Sequence, residues 1–277
     1  MTPISIVIPC FNLGRTVADS VDSALLQSRR PAQIVVVDDG STEALTQQRL
    51  RTLHDPLVRL VRIDHSGAAR ARNHGAGLTT SPYLLFLDAD DRLDTTYLEK
   101  AGALLDSDPQ LDIVSSAIKA FEQADYVWTP PQPTLSSALT QGTIPITALF
   151  RREVWDAVGG FDETLPSAMD LDFWITAFER GFRACVIQEP LLHWRVRFDS
   201  LHHSSVAKND YFQTLAMILR KHRPSIERLG PDLLLLKEIL IAGQRGHKAV
   251  LESRQTALQQ ELATLRAKVN DVTPDCH

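Results

Sequence analysis

Short apolar segments that alternate with helical patterns constrain the fold of this chain most strongly. Five such segments occur in its first half, at residues 5–9, 34–39, 58–63, 83–88 and 112–117. Their nearly continuous apolar character is typical of strands buried on both faces of a parallel sheet. Apolar residues recur at helical spacing between them, over 17–25 and over 98–105, where Asp94 is a candidate N-cap. The alternation predicts βαβ units and an α/β fold, a mostly parallel central sheet flanked by helices.

The second half of the sequence departs from this rhythm. The proline-rich stretch 126–145 predicts a surface loop or flap. A helix is expected from about Asp170 to Arg180, then a strand from Phe182. Beyond residue 205 the pattern is helical, and apolar residues at heptad spacing over about 250–272 indicate a short coiled coil or a helix packed on its own domain. We therefore expect a domain over 1–205 and a helical C-terminal region over 206–277, with a homo-oligomer through these helices left open.

Composition excludes several classes of protein. The formal net charge of -5, with basic residues scattered along the chain, does not suit a nucleic-acid binder. The three cysteines are distant from one another, so no disulfide framework is indicated. No secretory leader and no apolar run of about 20 residues is recognisable. A cytoplasmic chain is the expectation, with peripheral contact to the inner face of a membrane left open.

Polar residues cluster where the predicted strands end, which is where open α/β sheets bind ligands. The segments are PCFN (9–12), VDDGS (37–41), GAARARNHG (67–75), DADD (88–91) and AMDLDFW (168–174). Taken singly, each has a structural explanation: a turn, a solvated basic face or a helix cap. A cap needs one carboxylate, whereas Asp88, Asp90 and Asp91 bring three. Carboxylates crowded in this way indicate a divalent cation that is bound together with a diphosphate.

These five segments, in this order and spacing, resemble the family 2 glycosyltransferases of GT-A fold over roughly residues 1–200. The resemblance implies a Rossmann-like sheet and transfer of a sugar, with inversion, from a nucleotide-diphosphate sugar to an acceptor hydroxyl in glycan or polysaccharide biosynthesis. A UDP-sugar is the preferred donor, with GDP and dTDP as alternatives. Glycan, lipid-linked and protein acceptors all stay open.

The resemblance also implies roles for individual residues. The nucleotide sugar would be held by Pro9, Phe11, Asn12, Asp39, Arg72, Asn73, Asp88, Ala89 and Asp90. Within this set, Phe11 would stack near the base, Asp39 would accept a hydrogen bond from it, and Arg72 would lie near the nucleotide or its phosphates. Mn²⁺ or Mg²⁺ would be bound by Asp90 and Asp88, with Asp91 as a substitute or support.

Asp170 matches the family's catalytic base, which takes the proton of the acceptor hydroxyl. Met169 is a departure, because many relatives have Glu at this position. Asp172 would point to another face of the helix and is expected to be structural. Trp155, Phe161 and Asp162 would line the acceptor side. In the segment LLHWRVRFDS, Arg197 stands where the resemblance predicts His, and Arg cannot ligate a metal in the usual way. His193, His202 and His203 lack metal-ligand spacing.

Three other classes of protein compete with this interpretation. A dinucleotide-dependent oxidoreductase needs a G-x-G-x-x-G loop after the first strand, and PCFNLGRT has one glycine. A nucleotidyltransferase would need a phosphate loop rich in Gly, Arg or Lys at the same place. A noncatalytic nucleotide-sugar-binding or coiled-coil scaffolding protein is excluded only by turnover.

Overall fold

The computed structural model describes residues 1–141, 144–197 and 210–230. The chain divides into two compact units, Met1–Arg228 and Leu229–His277. The predicted coiled coil and the self-association through it lie outside the described residues, and the domain boundary at 205 stays a prediction. No helix within the described ranges is both long and apolar enough to cross a bilayer.

The first half of the chain builds a parallel sheet. Its elements are β1 (Ile4–Cys10), α1 (Val17–Leu25), β2 (Gln33–Asp39), α2 (Ala44–Arg51), β3 (Val58–Ile63), α3 (Ala68–Gly77) and β4 (Tyr83–Phe86). Strand β1 lies between β2 and β4 and is parallel to both, with Ile6 opposite Ile34 on one side and Leu85 on the other. All these strands therefore end at the same edge of the sheet.

The second half extends the sheet with mixed pairing. It contains β5 (Arg92–Leu93), α4 (Tyr97–Ser107), β6 (Ile113–Glu122), β7 (Tyr126–Trp128), α5 (Leu135–Gln141), β8 (Leu149–Arg151), α6 (Arg152–Val158), α7 (Met169–Glu179), β9 (Ala184–Val196) and α8 (Asp210–Lys221). The strand order is β3-β2-β1-β4-β8-β6-β9-β5, with β7 paired to β6. Strand β8 is antiparallel to β4 and β6, whereas β9 is parallel to β6.

Both faces of the sheet carry a hydrophobic core, because successive side chains of a strand point to opposite faces. Ile6 and Ile8 pack with residues of α1 and α4 on one face. Val7 and Phe86 pack with α3, α6 and α7 on the other. The prediction of strands buried on both faces is thus confirmed for β1, β2 and β4.

Three local predictions were wrong. Among the strands of the described residues, β3 pairs only with β2 and is an edge strand, so residues such as Leu60 are exposed. The N-cap of α4 is Thr96, not Asp94, whose Oδ1 instead accepts hydrogen bonds from the Thr96 backbone N–H and hydroxyl at 2.9 and 2.7 Å. The stretch 126–145 is not only loop, since it contains β7 and α5. In each case a contact distant in sequence, or a competing turn, outweighed the local pattern.

Candidate active site

The loops after β1 and β2 are tied into one unit by Asn12. Its Oδ1 accepts hydrogen bonds from the backbone N–H groups of Thr42 and Glu43 at 2.9 and 3.0 Å, and its own N–H donates to the Ser41 hydroxyl. Asn12 has φ of 52°, a left-handed conformation that Asn tolerates better than most residues. Pro9 is buried in β1 opposite Val37, so it belongs to the sheet that supports the two loops.

An aromatic pair stands above the carboxyl end of β2. The ring of Phe11 stacks on His65, with centroids 3.9 Å apart and an interplanar angle of 18°, and Phe11 is 38% exposed. Asp39 is buried below them, and its carboxylate accepts hydrogen bonds from His65 Nδ1 and from the N–H groups of Ser66 and Gly67 at 2.8–2.9 Å. In the structure Asp39 therefore holds the 65–67 segment, and its bond to a base stays a prediction.

Arg72 projects from α3 and joins two of the motif segments. It is 7% exposed; its Nη2 lies 2.5 Å from Asp88 Oδ1, and its Nη1 lies 3.4 Å from the Met169 sulfur. Its Nε is buried and has no hydrogen-bond partner among the described residues. A buried guanidinium with an unused donor is suited to an anionic ligand.

The acidic loop 88–91 presents its three carboxylates to different surroundings. The Asp88 side chain is 36% exposed and the Asp90 side chain 17%. Asp91 is buried, and its Oδ1 accepts a hydrogen bond from the Arg195 backbone N–H at 2.8 Å. Burial raises the pKa of Asp91 well above its usual value, and Asp90 and Asp88 raise it further. Of the two roles expected for Asp91, substitute ligand or support, these contacts favour support, and its role toward a metal stays a prediction.

Arg195 fixes the backbone of the acidic loop. Its Nε donates to the Asp90 carbonyl at 2.8 Å, and its guanidinium forms ion pairs with Asp19 and Glu122. The Ala89 carbonyl, buried next to Asp90, accepts a hydrogen bond from the Thr16 hydroxyl at 2.8 Å. The loop is therefore held by backbone contacts, while the Asp88 and Asp90 carboxylates make their contacts with Arg72 and Arg197.

Arg197 occupies the space beside Asp90. Its Nε and Nη2 lie 3.0 and 2.8 Å from the same oxygen, Asp90 Oδ2. Burial raises the pKa of Asp90 and so does Asp88, while Arg197 opposes both. Next to this pair lies an open cavity of about 780 Å³, lined by Asn12, Leu13, Arg15, Thr16, Glu43, Glu122, Gln123, Arg195 and Arg197.

Asp88 and Asp90 could each provide one carboxylate oxygen to a divalent cation. Each of these carboxylates uses one oxygen in the ion pairs described above, with Arg72 and with Arg197, which leaves a second oxygen on each. No group of three His, Cys, Asp or Glu residues able to hold a metal occurs in the described part of the chain. Protein ligands alone would leave most of the coordination sphere to water and phosphate oxygens, which is the usual arrangement for Mg²⁺.

Asp170 lies in the first turn of α7, where a negative charge is favoured by the helix dipole. Burial raises the pKa of the Asp170 carboxyl above its usual value, and Asp88 adds to this, whereas the charge of Arg72 lowers it. The residue before the helix, Ala168, has φ of 48° and offers no side-chain cap. The candidate base therefore shares an electrostatic environment with Arg72 and the acidic loop.

The residues predicted for the acceptor side divide between packing and surface. Phe161 is 4% exposed and belongs to an aromatic cluster with Phe86, Trp155 and Phe173 at centroid distances of 4.9–5.5 Å. It therefore packs below the surface, and the half-buried Trp155 packs against it. The Asp162 side chain is 28% exposed.

Asn73 has a bracing position that differs from its predicted contact with the nucleotide sugar. Its Oδ1 accepts from the Phe161 N–H at 2.9 Å, and its Nδ2 donates to the Phe161 carbonyl at 2.9 Å and to Glu163 at 2.8 Å. Both ends of the amide are thus used to join α3 to the segment before α7.

Backbone strain is concentrated at this edge. The non-glycine residues with positive φ in the described ranges are Asn12, Glu122 and Ala168. Asn12 and Glu122 line the cavity, and Ala168 precedes the helix of Asp170. Strained backbone is characteristic of functional sites, where the surrounding structure holds it in place.

Two features of this edge could not be predicted from the sequence. His65, which stacks on Phe11, precedes the GAARARNHG segment and belongs to no motif. Glu122, which pairs with Arg195, ends β6 in a stretch without polar clustering. His193 lies in β9 opposite Arg92. His202 and His203 fall outside the described residues.

The sheet order and an acidic loop beside a buried arginine define the class of a GT-A glycosyltransferase fold. Solved structures agree: Staphylococcus aureus TarS 1–349 in complex with UDP-GlcNAc aligns with a TM-score of 0.65 at 22% identity, covering 78% of this chain and 65% of that chain. The mannosyltransferase PcManGT of Pyrobaculum calidifontis, in complex with GDP-Man and Mn²⁺, aligns with a TM-score of 0.62 at 21% identity, covering 79% and 64%. The predicted fold class is confirmed.

The sequence model of Glycosyl transferase family 2 matches residues 5–165, and the chain belongs to this family of enzymes. It is 27% identical over 233 residues to the amylovoran biosynthesis glycosyltransferase AmsB of Erwinia amylovora, covering 77% of each chain. It is 24% identical over 245 residues to the S. aureus poly(ribitol-phosphate) beta-N-acetylglucosaminyltransferase TarS, covering 84% of this chain but 42% of TarS. The chain thus spans less than half of full-length TarS.

Proposed function

We propose that this family 2 glycosyltransferase moves a sugar, with inversion, from a nucleotide-diphosphate sugar to an acceptor hydroxyl. The observation that carries the proposal is the position of Arg72, which contacts Asp88 of the acidic loop and Met169 beside Asp170. The buried guanidinium of Arg72 thereby supports a single site that contains both the predicted donor-binding loop and the predicted base. Its unused Nε supplies a further donor for phosphate.

The proposed reaction is a single displacement at the anomeric carbon. Asp170 takes the proton of the acceptor hydroxyl as that oxygen attacks, and the bond from the anomeric carbon to the diphosphate oxygen breaks with its electron pair leaving on the diphosphate. Burial of Asp170 supports the role of base, because a raised carboxyl pKa makes it a stronger proton acceptor once ionised. Arg72 stabilises the negative charge that develops on the leaving group.

Asp88 and Asp90 would hold a divalent cation, Mn²⁺ or Mg²⁺, which when bound neutralises charge on the diphosphate. Support comes from the crowding of the carboxylates. Burial and the neighbouring Asp88 raise the pKa of Asp90, which disfavours its ionised form, and a bound cation would oppose both effects. Asp91, turned to the Arg195 amide, holds the loop in place. The chain's own Arg197 also neutralises Asp90.

The donor is proposed to be a UDP-sugar, with GDP-sugars and dTDP-sugars as the alternatives. TarS in complex with UDP-GlcNAc supports the first choice, and PcManGT in complex with GDP-Man supports the second. The stacked Phe11 and His65 offer an aromatic surface for a base of either kind. Synthesis of a polysaccharide is the proposed context, in keeping with amylovoran biosynthesis by AmsB.

Calorimetric titration of UDP, GDP and dTDP, each with and without Mn²⁺, tests the donor site. We expect one nucleotide to bind only when Mn²⁺ is present. This binding should be lost in Asp90→Asn, a substitution that keeps the shape of the side chain. Glu153→Gln is the matched control, because Glu153 is an exposed carboxylate in the first turn of α6, at the opposite edge of the sheet. Binding that survives in Asp90→Asn would contradict the metal assignment, and binding of none of the three would contradict the donor site.

Turnover decides whether the chain is a catalyst or only a binding protein. The donors would be nucleotide sugars that contain the nucleotide found to bind. They would be incubated with the protein and candidate glycan acceptors, and proton NMR would give the anomeric configuration of the product. Inversion supports the proposal. Retention of configuration would refute the role of Asp170 as the base of a single displacement, and binding without turnover would favour the noncatalytic alternative.

A further inference from the structure

Helix α8 lies beyond the residues matched by the family model, and two consecutive basic residues, the last of the helix and the one that follows it, reach α7. Lys221 Nζ is 2.8 Å from Asp172 Oδ2 and 3.2 Å from Asp162 Oδ2. His222, next in the chain, places Nε2 3.0 Å from Asp172 Oδ1 and Nδ1 2.9 Å from Glu179 Oε2. Lys221 and His222 are called here the basic clamp. Asp172 is buried, and the structural role expected for it stays a prediction.

The geometry favours a charged His222. Both ring nitrogens face carboxylates, and ionised carboxylates only accept hydrogen bonds, so a ring with a proton on each nitrogen satisfies both contacts. The side chains of His222 and Asp172 are 3% and 4% exposed. Water screens a buried imidazolium between two carboxylates only weakly. The charged ring therefore binds Asp172 and Glu179 strongly.

The clamp acts on the helix that carries Asp170. Asp172 is two residues further along α7, and both of its carboxylate oxygens are held by the clamp. The N-cap residue of α7, Ala168, is left-handed and makes no side-chain cap, so the first turn lacks the usual anchor. Lys221 also binds Asp162, in the segment that precedes α7. The first turn of α7 is therefore anchored from α8.

We propose that Lys221 and His222 are positioning residues for the base Asp170: they hold the first turn of α7 and the Asp162 segment in fixed register with the donor loops. The proposal rests on the proposed function, because it assigns Asp170 as the base. It deepens that function by extending the catalytic unit to α8. Displacement of a reacting group by about 1 Å can cost about 100-fold in rate, so an anchor of this kind has a measurable effect.

The clamp has a pH dependence of its own. Burial lowers the pKa of His222, but hydrogen bonds from its ring to Asp172 and Glu179 outweigh this and raise the pKa above its usual value. The charged groups that face it in the described part of the chain are Asp172 and Glu179 of α7, with Lys221 adjacent on its own helix. The ring is thus charged below the ordinary histidine pKa, and its anchoring is lost as pH rises through the raised pKa.

Variants of Lys221, whose side chain is 45% exposed, test the proposal with little risk to folding. Lys221→Gln removes the charge, Lys221→Arg restores it, and Arg220→Gln removes an exposed charge from the same helix as a control. We expect Lys221→Gln to lower kcat about 10-fold or more with the donor Kd unchanged, Lys221→Arg to recover most of it, and Arg220→Gln to match wild type. His222→Gln should also remove a fall of kcat at alkaline pH.

A second measurement works without an acceptor. The titration of Asp170, followed by NMR in protein with labelled aspartate, should move toward the ordinary carboxyl range in Lys221→Gln and stay in place in Arg220→Gln. Folded Lys221→Gln protein with wild-type kcat and an unchanged Asp170 titration would overturn the proposal. Wild-type turnover by Asp170→Asn would instead refute the proposed base, and the NMR titration would still report on the clamp.

Discussion

The close approach of α3 to the sheet at Gly75 gives a stability prediction that can be worked from the structure. Gly75 of α3 faces the fully buried Val7 and Val37 of β1 and β2. A Cβ at Gly75 would lie 2.3 Å from Val7 Cγ1 and 3.0 Å from Val37 Cγ2, both far inside van der Waals contact. Because β-branched side chains in a packed core have no free rotamer, the helix itself would have to move.

Gly77 of the same helix supplies the control, since a Cβ there would meet nothing within 4 Å. Overpacking costs about 1–3 kcal/mol, while replacing glycine by alanine in a helix gains about 0.5–1 kcal/mol. We therefore expect Gly75→Ala to lower the free energy of unfolding by about 1–2 kcal/mol and Gly77→Ala to leave it equal or raise it by up to about 1 kcal/mol. For a unit of this size the difference of about 1–3 kcal/mol corresponds to melting temperatures that differ by about 2–12 °C.

Urea unfolding followed by circular dichroism measures both variants, with the midpoint expected to move and the slope to stay constant. Nucleotide affinity gives a second result, because moving α3 also moves Arg72 away from Asp88. Gly75→Ala should bind nucleotide more weakly than Gly77→Ala. If Gly75→Ala proved as stable as Gly77→Ala, the close approach of α3 to β1 and the reasoning from it would be refuted.

Further predictions concern the charged residues of the site. Asp170→Asn should lower kcat by about 100-fold to 10,000-fold with the nucleotide Kd almost unchanged, measured by release of nucleotide from the donor; an unchanged kcat would remove Asp170 as the base. Because burial raises the pKa of Asp170, kcat/KM should fall on the acid side at a higher pH than for an exposed carboxylate, and a limb in the ordinary carboxyl range would contradict this. Arg197→Gln should bind Mn²⁺ more tightly than wild type without nucleotide, measured by electron paramagnetic resonance, because guanidinium and cation compete for Asp90; equal affinity would show that they do not compete.

The parts of the fold that local pattern controls could be predicted from the sequence. Strands β1, β2 and β4 are buried on both faces, so most of their residues are apolar, and the segments were recognisable by composition. Strand β3 was expected to be buried like them, but it carries Arg59 and Arg62 and lies at the edge, where side chains are exposed. Thr96 and not Asp94 is the N-cap, because the Asp94 side chain is used in a hydrogen-bonded turn with the Thr96 backbone N–H.

For the candidate site, the sequence indicated the segments better than the use of each side chain. The acidic loop was recognisable because like charges seldom cluster without a reason, but which carboxylate turns inward depended on Arg195, more than 100 residues away. Asn73 and Phe161 were predicted to lie beside ligands; in the structure the Asn73 amide binds the Phe161 backbone, and contact of either residue with a ligand stays a prediction. The basic clamp left no pattern at all, since two adjacent basic residues at a helix end are ordinary in any sequence.

The common direction of the parallel strands also has a practical consequence. Every motif segment follows the carboxyl end of a strand or opens α7, so the turns that lead into the strands lie at the other edge of the sheet. The turn before β3, at residues 52–57, and that before β4, at residues 78–82, are such places. A fluorophore or a surface linker attached through the exposed His54 would leave the donor loops unobstructed and orient them away from a sensor surface. The sheet thus offers a built-in direction for immobilising the protein in binding assays.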